Sequence, residues 1–502
     1  MRAATLAVLI AAVVAIGVRW GTFVAGGSDS YCYLHQAERW ASGTLQMVEP
    51  LALEAPWPDA VLTFAPAGHR PSSTVPGALV PICPSGLSIA MAPLVWAGGT
   101  TAAFFILPLF GALLIGATYV VGARYGARVG MASAAIVAFT PVFLFQLVQP
   151  MSDVPAATLW MMAVACVTSA RRRGAMLGGA AAAAAIMMRP NLVPLAIPLG
   201  LFLLLRPERL WRERVAAAAR FAGAAAAGPL CVALIQHTFY GSPFSSGYGP
   251  VDALFSAANI QPNAIHYATW LSQTLTPGWV LAAVAPLFLP GALTRLLLWM
   301  FLVNVACYLP YVVFDDWSYL RFLLPTIPLV VVLAMTVIDA LCRRTWSWTS
   351  RPVLAAVAVA MVVFGIREAD ERSAFRLKQL EARYAQAGRY VGEALPDNAL
   401  VITSWQSGSV RFYSGRKTIL WDSLDPAWLD RAIAWVRDRG FEPYLLFETW
   451  EEPGFRRRFA GNPIGALDWP PAAEVAARVR IYRPGDRDRY ARGEPVPTDY
   501  AR

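Results

Sequence analysis

Four charged residues of this chain stand where charge is costly. Asp29 follows the first apolar segment, Ala3 to Val24, at the head of the run SDSYCYLHQAERW. Asp153 lies in QPMSDVPA, Arg189 in MMRPNL, and Arg321 just after DDWSY, each beside a long apolar stretch. Charged groups near a membrane boundary are expensive to desolvate and are functional candidates by default. A carboxylate within reach of a hydroxyl can take its proton as a general base, and Asp29 is the expected base. Asp153 fits two compatible roles, an active-site acidic residue and an N-cap for the apolar run that opens with Val154-Pro155. An arginine outside the membrane at the head of a helix suits a phosphate, which its planar fork grips through two hydrogen bonds. Arg321 and Arg189 are the expected phosphate ligands. The plainer alternatives are pairing of Arg321 with Asp315 or Asp316, and snorkelling to lipid headgroups. His69 and Arg70 in AGHRPSS are further candidate substrate contacts, set against a solvated loop. Tyr248 and His266 in a later loop are set against aromatic packing.

The elements that must hold these residues are apolar. The chain has 502 residues, 57% hydrophobic and 15% charged, and apolar runs of about 18 or more residues read as membrane spans. After an uncleaved first helix, candidate spans fall at roughly 101–121, 129–149, 154–170, 174–188, 191–205, 215–239, 278–290, 296–314, 322–341 and 352–366. The fold class is therefore an α-helical polytopic membrane protein with about eleven transmembrane helices. Short Arg-rich loops at Arg124 and Arg128, at Arg171 to Arg173, at Arg206, Arg209, Arg212 and Arg214, and at Arg343, Arg344 and Arg351 give the positive-inside signal. They put the N-terminus in the cytoplasm and residues after the last span outside it, in the cell membrane of the organism. The net charge of +10 thus sorts by membrane side and does not point to nucleic acid.

Two external loops are long, about 25–99 and 240–277. In the first, DSYCYLHQAERWASG places Tyr31, Leu34, Ala37 and Trp40 on one helical face, and the apolar part of VPICPSGLSIAMAPLVWAGG is too short to span. Both read as helices lying in the interface. The second loop is rich in Gly, Ser, Pro, Asn and aromatics, as flexible substrate loops are. Cys32 and Cys83 both fall in the first loop and can pair if that compartment is oxidising. From Arg367 onward lie 22 Lys and Arg and 20 Asp and Glu. This shift from the apolar part marks a boundary near residue 366, with residues 367–502 as a small extracytoplasmic α/β domain long enough for a core of its own. In it, 370–395 reads as an amphipathic helix, and ALVITS, KTILW, PYLLFE and VRIYRP as strands around the helix PAWLDRAIAWVRDRG. No HExxH, GxSxG or P-loop pattern is present, and no CxxC spacing suggests a metal site.

Several stretches together resemble a family. The acid directly after the first helix, PSGLSIAMAPLVWAGG, QPMSDVPA, RPNLVPLAIPLGL and YLRFLLPTIPLVVVLA are similar to the GT-C glycosyltransferases. The likeness is to bacterial relatives of protein O-mannosyltransferases and of lipid A aminoarabinose transferases, over about residues 1–366. PDNALVITSW and RFYSGRKTILW look like the extracytoplasmic domain common in such proteins. The resemblance implies an inverting glycosyltransferase with a polyprenyl-phosphate sugar donor and an extracytoplasmic hydroxyl acceptor. It matches Asp29 to the catalytic acidic residue, Asp153 to the second acidic position, and Arg321 to the basic residue near the lipid phosphate. Ser30 stands where many relatives have a second acid, which weakens the case for a divalent metal and leaves Asp29 to act alone. A transporter or flippase of a lipid-linked sugar, or a non-catalytic glycan-binding membrane protein, are the other readings. The clustering of polar groups at one membrane face argues against a transporter.

Overall fold

The computed structural model describes residues 2–501 apart from 207, 209 and 346–349; the loop residue Arg209 thus lies outside the described residues. The chain is mostly helical. Among the described residues three helices are long and apolar enough to cross a membrane: Arg2–Trp20, Trp211–Tyr240 and Arg351–Glu371. Four bent pairs pass the same test together, among them Ser85–Ala103 with Ile106–Gly122 at 95° and Ala127–Ala138 with Pro141–Leu147 at 59°. The second bend falls at Pro141, which begins the new helix, where its missing N–H is not needed. Shorter apolar helices are Asp153–Val167, Gly174–Met188, Pro190–Leu204 and Ala292–Tyr308. One cluster of buried apolar side chains, from Val13 to Ala374, ties these helices together. The closest helix approach is made by small residues. A Cβ added at Gly179 would strike the Phe221 carbonyl, and one at Gly228 the Ala183 backbone, so Gly174–Met188 and Trp211–Tyr240 pack backbone to backbone as helices in an apolar solvent do.

The first long loop, about 25–99, departs from the interfacial picture. Its helix Asp29–Ser42 ends at Gly43 in the left-handed conformation (φ 73°), which glycine adopts without strain. Yet Tyr31 through Ala37 are all buried. The helix packs against Ser85–Ala103 on one side and Ser407–Ser414 of the C-terminal region on another. It is an internal strut, because polar partners such as Ser85 and Ser88 meet the residues on its far faces. Gln36 Nε2 donates to Ser85 Oγ at 2.7 Å, and Ser88 Oγ to the Tyr33 carbonyl at 2.9 Å. Beyond it, strands β1 (Met47–Val48), β2 (His69–Pro71) and β3 (Ala78–Pro81) pair antiparallel in the order β1-β3-β2. Cys32 and Cys83 form a disulfide. The second loop also differs from expectation: it carries the helix Ile260–Leu275, whose buried residues Asn263, Tyr267, Trp270, Leu271 and Thr274 recur at helical spacing.

In the C-terminal region, strands β4 (Ala399–Thr403), β5 (Lys417–Leu420), β6 (Glu442–Glu448), β7 (Ala473–Val475), β8 (Val479–Tyr482) and β9 (Asp499–Ala501) form one mixed sheet, in the order β5-β4-β6-β8-β7-β9. β4 is parallel to β5 and β6, and β6 is antiparallel to β8. Side chains alternate between faces. Val401 and Leu446 cluster with Ala387 and Val391 of helix Leu377–Ala394. Leu400, Ile402, Leu445 and Phe447 face the other way. That second face is completed from outside the region. Ala52, Trp57, Ala60 and Phe64 of the first long loop share its cluster with Ile419, Leu429 and Phe455. Glu49 binds Lys417 at 2.6 Å and Arg411 at 3.2 Å, and Glu54 pairs with Arg439. The expectation that residues after 366 bury a core wholly of their own is amended accordingly. The compositional boundary itself falls inside the helix Ser350–Glu371, so charge shifts there without a break in the backbone.

Candidate functional site

A cavity of about 470 Å³ lies where the first loop meets the helix ends around Arg189 and Arg321. Asp29, Arg189, Arg321 and Tyr248 line it. Asp29 is the first residue of its helix, where the unpaired backbone N–H groups favour negative charge. Its Oδ2 stands 3.5 Å from Arg321 Nη2, with the two side chains 35% and 17% exposed. Charge-assisted N–H···O bonds are commonly about 2.7–2.9 Å. This contact is looser and partly wet, so it can open without stranding a buried charge. Arg321 lies in the turn Trp317–Leu323, its guanidinium 5.0 Å from the Tyr319 ring and 5.6 Å from Phe322, within cation–π range. Asp316, one of the plainer partners expected for Arg321, instead caps this turn by accepting the Ser318 N–H at 2.8 Å.

Asp153 behaves differently. It begins the helix Asp153–Val167 and is fully buried. No side-chain cap bond closes that helix at Ser152; the carboxylate is turned to Arg189 instead. Arg189 Nη2 donates to Asp153 Oδ1 at 2.5 Å, and Nη1 donates to the Tyr308 hydroxyl at 2.9 Å. Tyr308 stacks on Phe322 at 4.7 Å, and the Arg189 guanidinium lies 5.2 Å from the same Phe322 ring. One aromatic side chain therefore spaces the two arginines. The Nε atoms of Arg189 and Arg321 have no hydrogen-bond partner although buried, which leaves each guanidinium with a donor for a ligand.

The remaining expected contacts divide. Tyr248 lines the cavity. Arg70 stands behind it, donating to the Ser246 and Gly247 carbonyls at 3.2 and 3.4 Å, and so holds the loop that carries Tyr248. His69 is buried against His35, with Nε2 and Nδ1 2.9 Å apart. Burial, then the nearby Arg39, pushes His35 down to about 3, and burial lowers His69 as well. Both rings stay neutral, and His69 is absent from the cavity wall. His266 stacks on Trp270 at 4.9 Å and is likewise away from the wall. Sequence reasoning missed Tyr33, Ser152 and Tyr308, all of which line the cavity. Tyr33 was findable, since it follows Asp29 by four residues and so shares its helical face. Its hydroxyl donates to Ser152 Oγ at 2.9 Å, and burial raises its phenol so that it remains a donor. Tyr308 left no local signal. Among the described residues no group of three or more His, Cys, Asp or Glu side chains converges as a metal site.

A family model described as dolichyl-phosphate-mannose-protein mannosyltransferase matches residues 88–232. Sequence comparison with curated proteins finds no match. Among solved structures, ArnT from Cupriavidus metallidurans bound to undecaprenyl phosphate is similar with a TM-score of 0.57 and 13% identity, over 95% of this chain and 97% of that one. The oligosaccharyltransferase of Archaeoglobus fulgidus in the apo form gives 0.52 and 12%, over 94% and 73%. AglB of the same organism, in complex with an inhibitory peptide and a dolichol-phosphate, gives 0.54 and 11%, over 92% and 71%. The chain shares the fold of these membrane glycosyltransferase structures. The family match holds Asp153 and Arg189 and leaves out Asp29 and Arg321. The fold shared with these structures, which extends over nearly the whole chain, is what brings all four to one place.

Proposed function

We propose that this protein is an inverting GT-C glycosyltransferase that moves a sugar from a polyprenyl-phosphate donor to a hydroxyl acceptor outside the cytoplasm. The observation that carries the reading is the meeting of Asp29, Arg321 and Arg189 at one cavity. The solved ArnT is bound to undecaprenyl phosphate and AglB to a dolichol-phosphate, which supports a lipid phosphate as the donor class. In the reaction, the acceptor O–H passes its proton to Asp29 as its oxygen attacks the anomeric carbon. The bond from that carbon to the phosphate oxygen breaks on the opposite face, and polyprenyl phosphate departs with the electron pair. The leaving group needs no proton; the arginines balance the charge that grows on it. Arg321 couples the two halves. A donor phosphate competes with Asp29 for its guanidinium, and the loose 3.5 Å contact gives way, freeing the carboxylate as the donor arrives.

The same reading has about eleven spans in the cell membrane, the N-terminus in the cytoplasm, and residues from about 367 outside it, shaping acceptor recognition. Purified protein in lipid nanodiscs, given an undecaprenyl-phosphate-linked hexose, is expected to release undecaprenyl phosphate with inversion at the sugar. Movement of the intact glycolipid across vesicles without cleavage would replace the proposal with a transporter. A reporter fused after Ser404 is expected outside the cytoplasm.

A further inference from the structure

The Cys32–Cys83 disulfide is built into the cavity wall. Cys32 follows Asp29 by three residues on the same helix, and Cys83 lines the cavity itself, together with Ser85. The two cysteines lie 51 apart in sequence, and the chain between them makes a long excursion: it carries Glu49, Trp57 and Phe64 out to the sheet of the C-terminal region and returns. The feet of this excursion, helix Asp29–Ser42 and the start of helix Ser85–Ala103, pack side by side beside the cavity. There the disulfide is joined by the Gln36–Ser85 and Ser88–Tyr33 bonds and by a bond from the Cys83 N–H to the Cys32 sulfur, within a shared apolar cluster. By contrast, the two arginines stand on other elements, Arg189 after helix Gly174–Met188 and Arg321 in the turn Trp317–Leu323.

We infer that this disulfide is a positioning device for Asp29, so that its reduction disables transfer while leaving the phosphate grip intact, and that the protein is thereby tied to an oxidising compartment. The inference rests on the proposed role of Asp29. Chemically the step is thiol–disulfide exchange. A dithiol such as dithiothreitol attacks Cys32 or Cys83, its second thiol resolves the mixed disulfide, two protein thiols form, and the reductant leaves as a cyclic disulfide. With the cross-link gone, the helix that carries Asp29 still packs against Ser85–Ala103 and Ser407–Ser414, but its first turn loses its covalent tie to the cavity wall. A carboxylate displaced by about an ångström loses about a hundredfold in rate. Arg189 and Arg321 stand on elements that the disulfide does not tie, and the turn meets them only through the loose 3.5 Å Asp29–Arg321 contact, so phosphate binding changes little.

The test uses full-length protein in which Cys166, Cys231, Cys307 and Cys342 are replaced by alanine, so that thiol labelling reports only Cys32 and Cys83. Three quantities are compared between the oxidised, reduced and reoxidised forms: turnover at saturating donor, donor dissociation constant, and amide exchange over residues 29–36. Reduction is expected to lower turnover about tenfold or more, to change donor affinity less than twofold, and to speed exchange at 29–36, with reoxidation restoring all three. A Cys32→Ser/Cys83→Ser protein should match the reduced form and ignore dithiothreitol. Unchanged turnover after complete reduction would overturn the inference. So would parallel losses of turnover, donor binding and thermal stability, which mark a merely structural bond. If neither form transfers sugar from any polyprenyl-phosphate donor, the proposed function fails, and the exchange arm still decides whether the disulfide fixes the Asp29 turn: unaltered exchange at 29–36 overturns it.

Discussion

The membrane part and the C-terminal region solve the problem of burial in different ways. The membrane part closes on itself: one apolar cluster runs through its helices, and the lining of the cavity draws on no residue beyond Phe322. The C-terminal sheet has one face covered by its own helix and one face finished by Ala52, Trp57, Ala60 and Phe64 from the first loop. The difference teaches that the first long loop is shared structure. Its feet wall the cavity and its middle is core for the sheet. The two regions should therefore be coupled mainly through that loop, with a smaller seam where Phe375 and Lys378 meet Trp20 and the Arg19 carbonyl.

The largest expected effect falls on the membrane side alone. Asp29→Asn keeps shape and removes the basic oxygen, so turnover should fall about 10²–10⁴-fold, with donor affinity unchanged or somewhat raised, since the neutral amide competes less for Arg321, and with the protease resistance of the C-terminal region unchanged. Near-normal turnover would exclude Asp29 as the base.

The two arginines should then separate by stability. Arg189→Ala leaves Asp153 buried and unpaired, a loss of about 3–5 kcal/mol. Arg321→Ala leaves only a partly exposed Asp29 behind and should cost about 1 kcal/mol or less. Both should weaken donor binding, and Arg321→Lys less than Arg321→Ala, because lysine keeps charge without the fork. Thermal unfolding in detergent, read beside donor binding, checks the order. Equal destabilisation by the two alanine variants would mean that Arg321 is as deeply structural as Arg189.

On the other side, Phe64→Ala or Trp57→Ala should cost the C-terminal sheet about 3–5 kcal/mol and expose it to limited proteolysis, while the cavity still binds donor. The same logic predicts that residues 367–502 expressed alone are unstable, and that joining them to a peptide covering residues 49–64 restores cooperative unfolding. A well-folded isolated region would show that the loop residues merely cover a finished core.

The smallest effect is a pH dependence of the C-terminal region. Burial raises the carboxyl of Glu451 to about 7, whereas an unfolded chain holds it near 4.3. Between those values the folded form keeps a proton that the unfolded form has released. Stability is therefore greatest below about pH 4.3, falls as pH rises to about 7, and is flat above. The span is at most about 4 kcal/mol. Glu451→Gln should flatten it, measured by denaturant midpoints between pH 4.5 and 7.5. An unaltered slope would assign the dependence to other buried acids such as Glu381, which burial also raises.

Taken alone, the sequence determined what short-range pattern can carry. Apolar runs located the helices, and Asp29 was legible as the start of a helix because the SDSYCYLHQAERW periodicity and Gly43 bracket that helix. Short apolar runs marked β4, β5, β6 and β8; β7 and β9, of three residues each, are too short to stand out. The helix Ile260–Leu275 was hidden by the glycine and proline around it, though its buried positions recur at helical spacing. Only the tertiary structure decided who meets whom. Arg321 reaches Asp29 across 292 residues, Arg189 turns Asp153 from a cap into an ion-pair partner, and Trp57 leaves its own loop to complete a sheet that begins at Ala399. The reason is physical. A helix or strand is written in neighbours within a turn or two of the chain, where backbone hydrogen bonds fix the period. An ion pair or a shared core depends on how finished elements pack, and no local spacing encodes that.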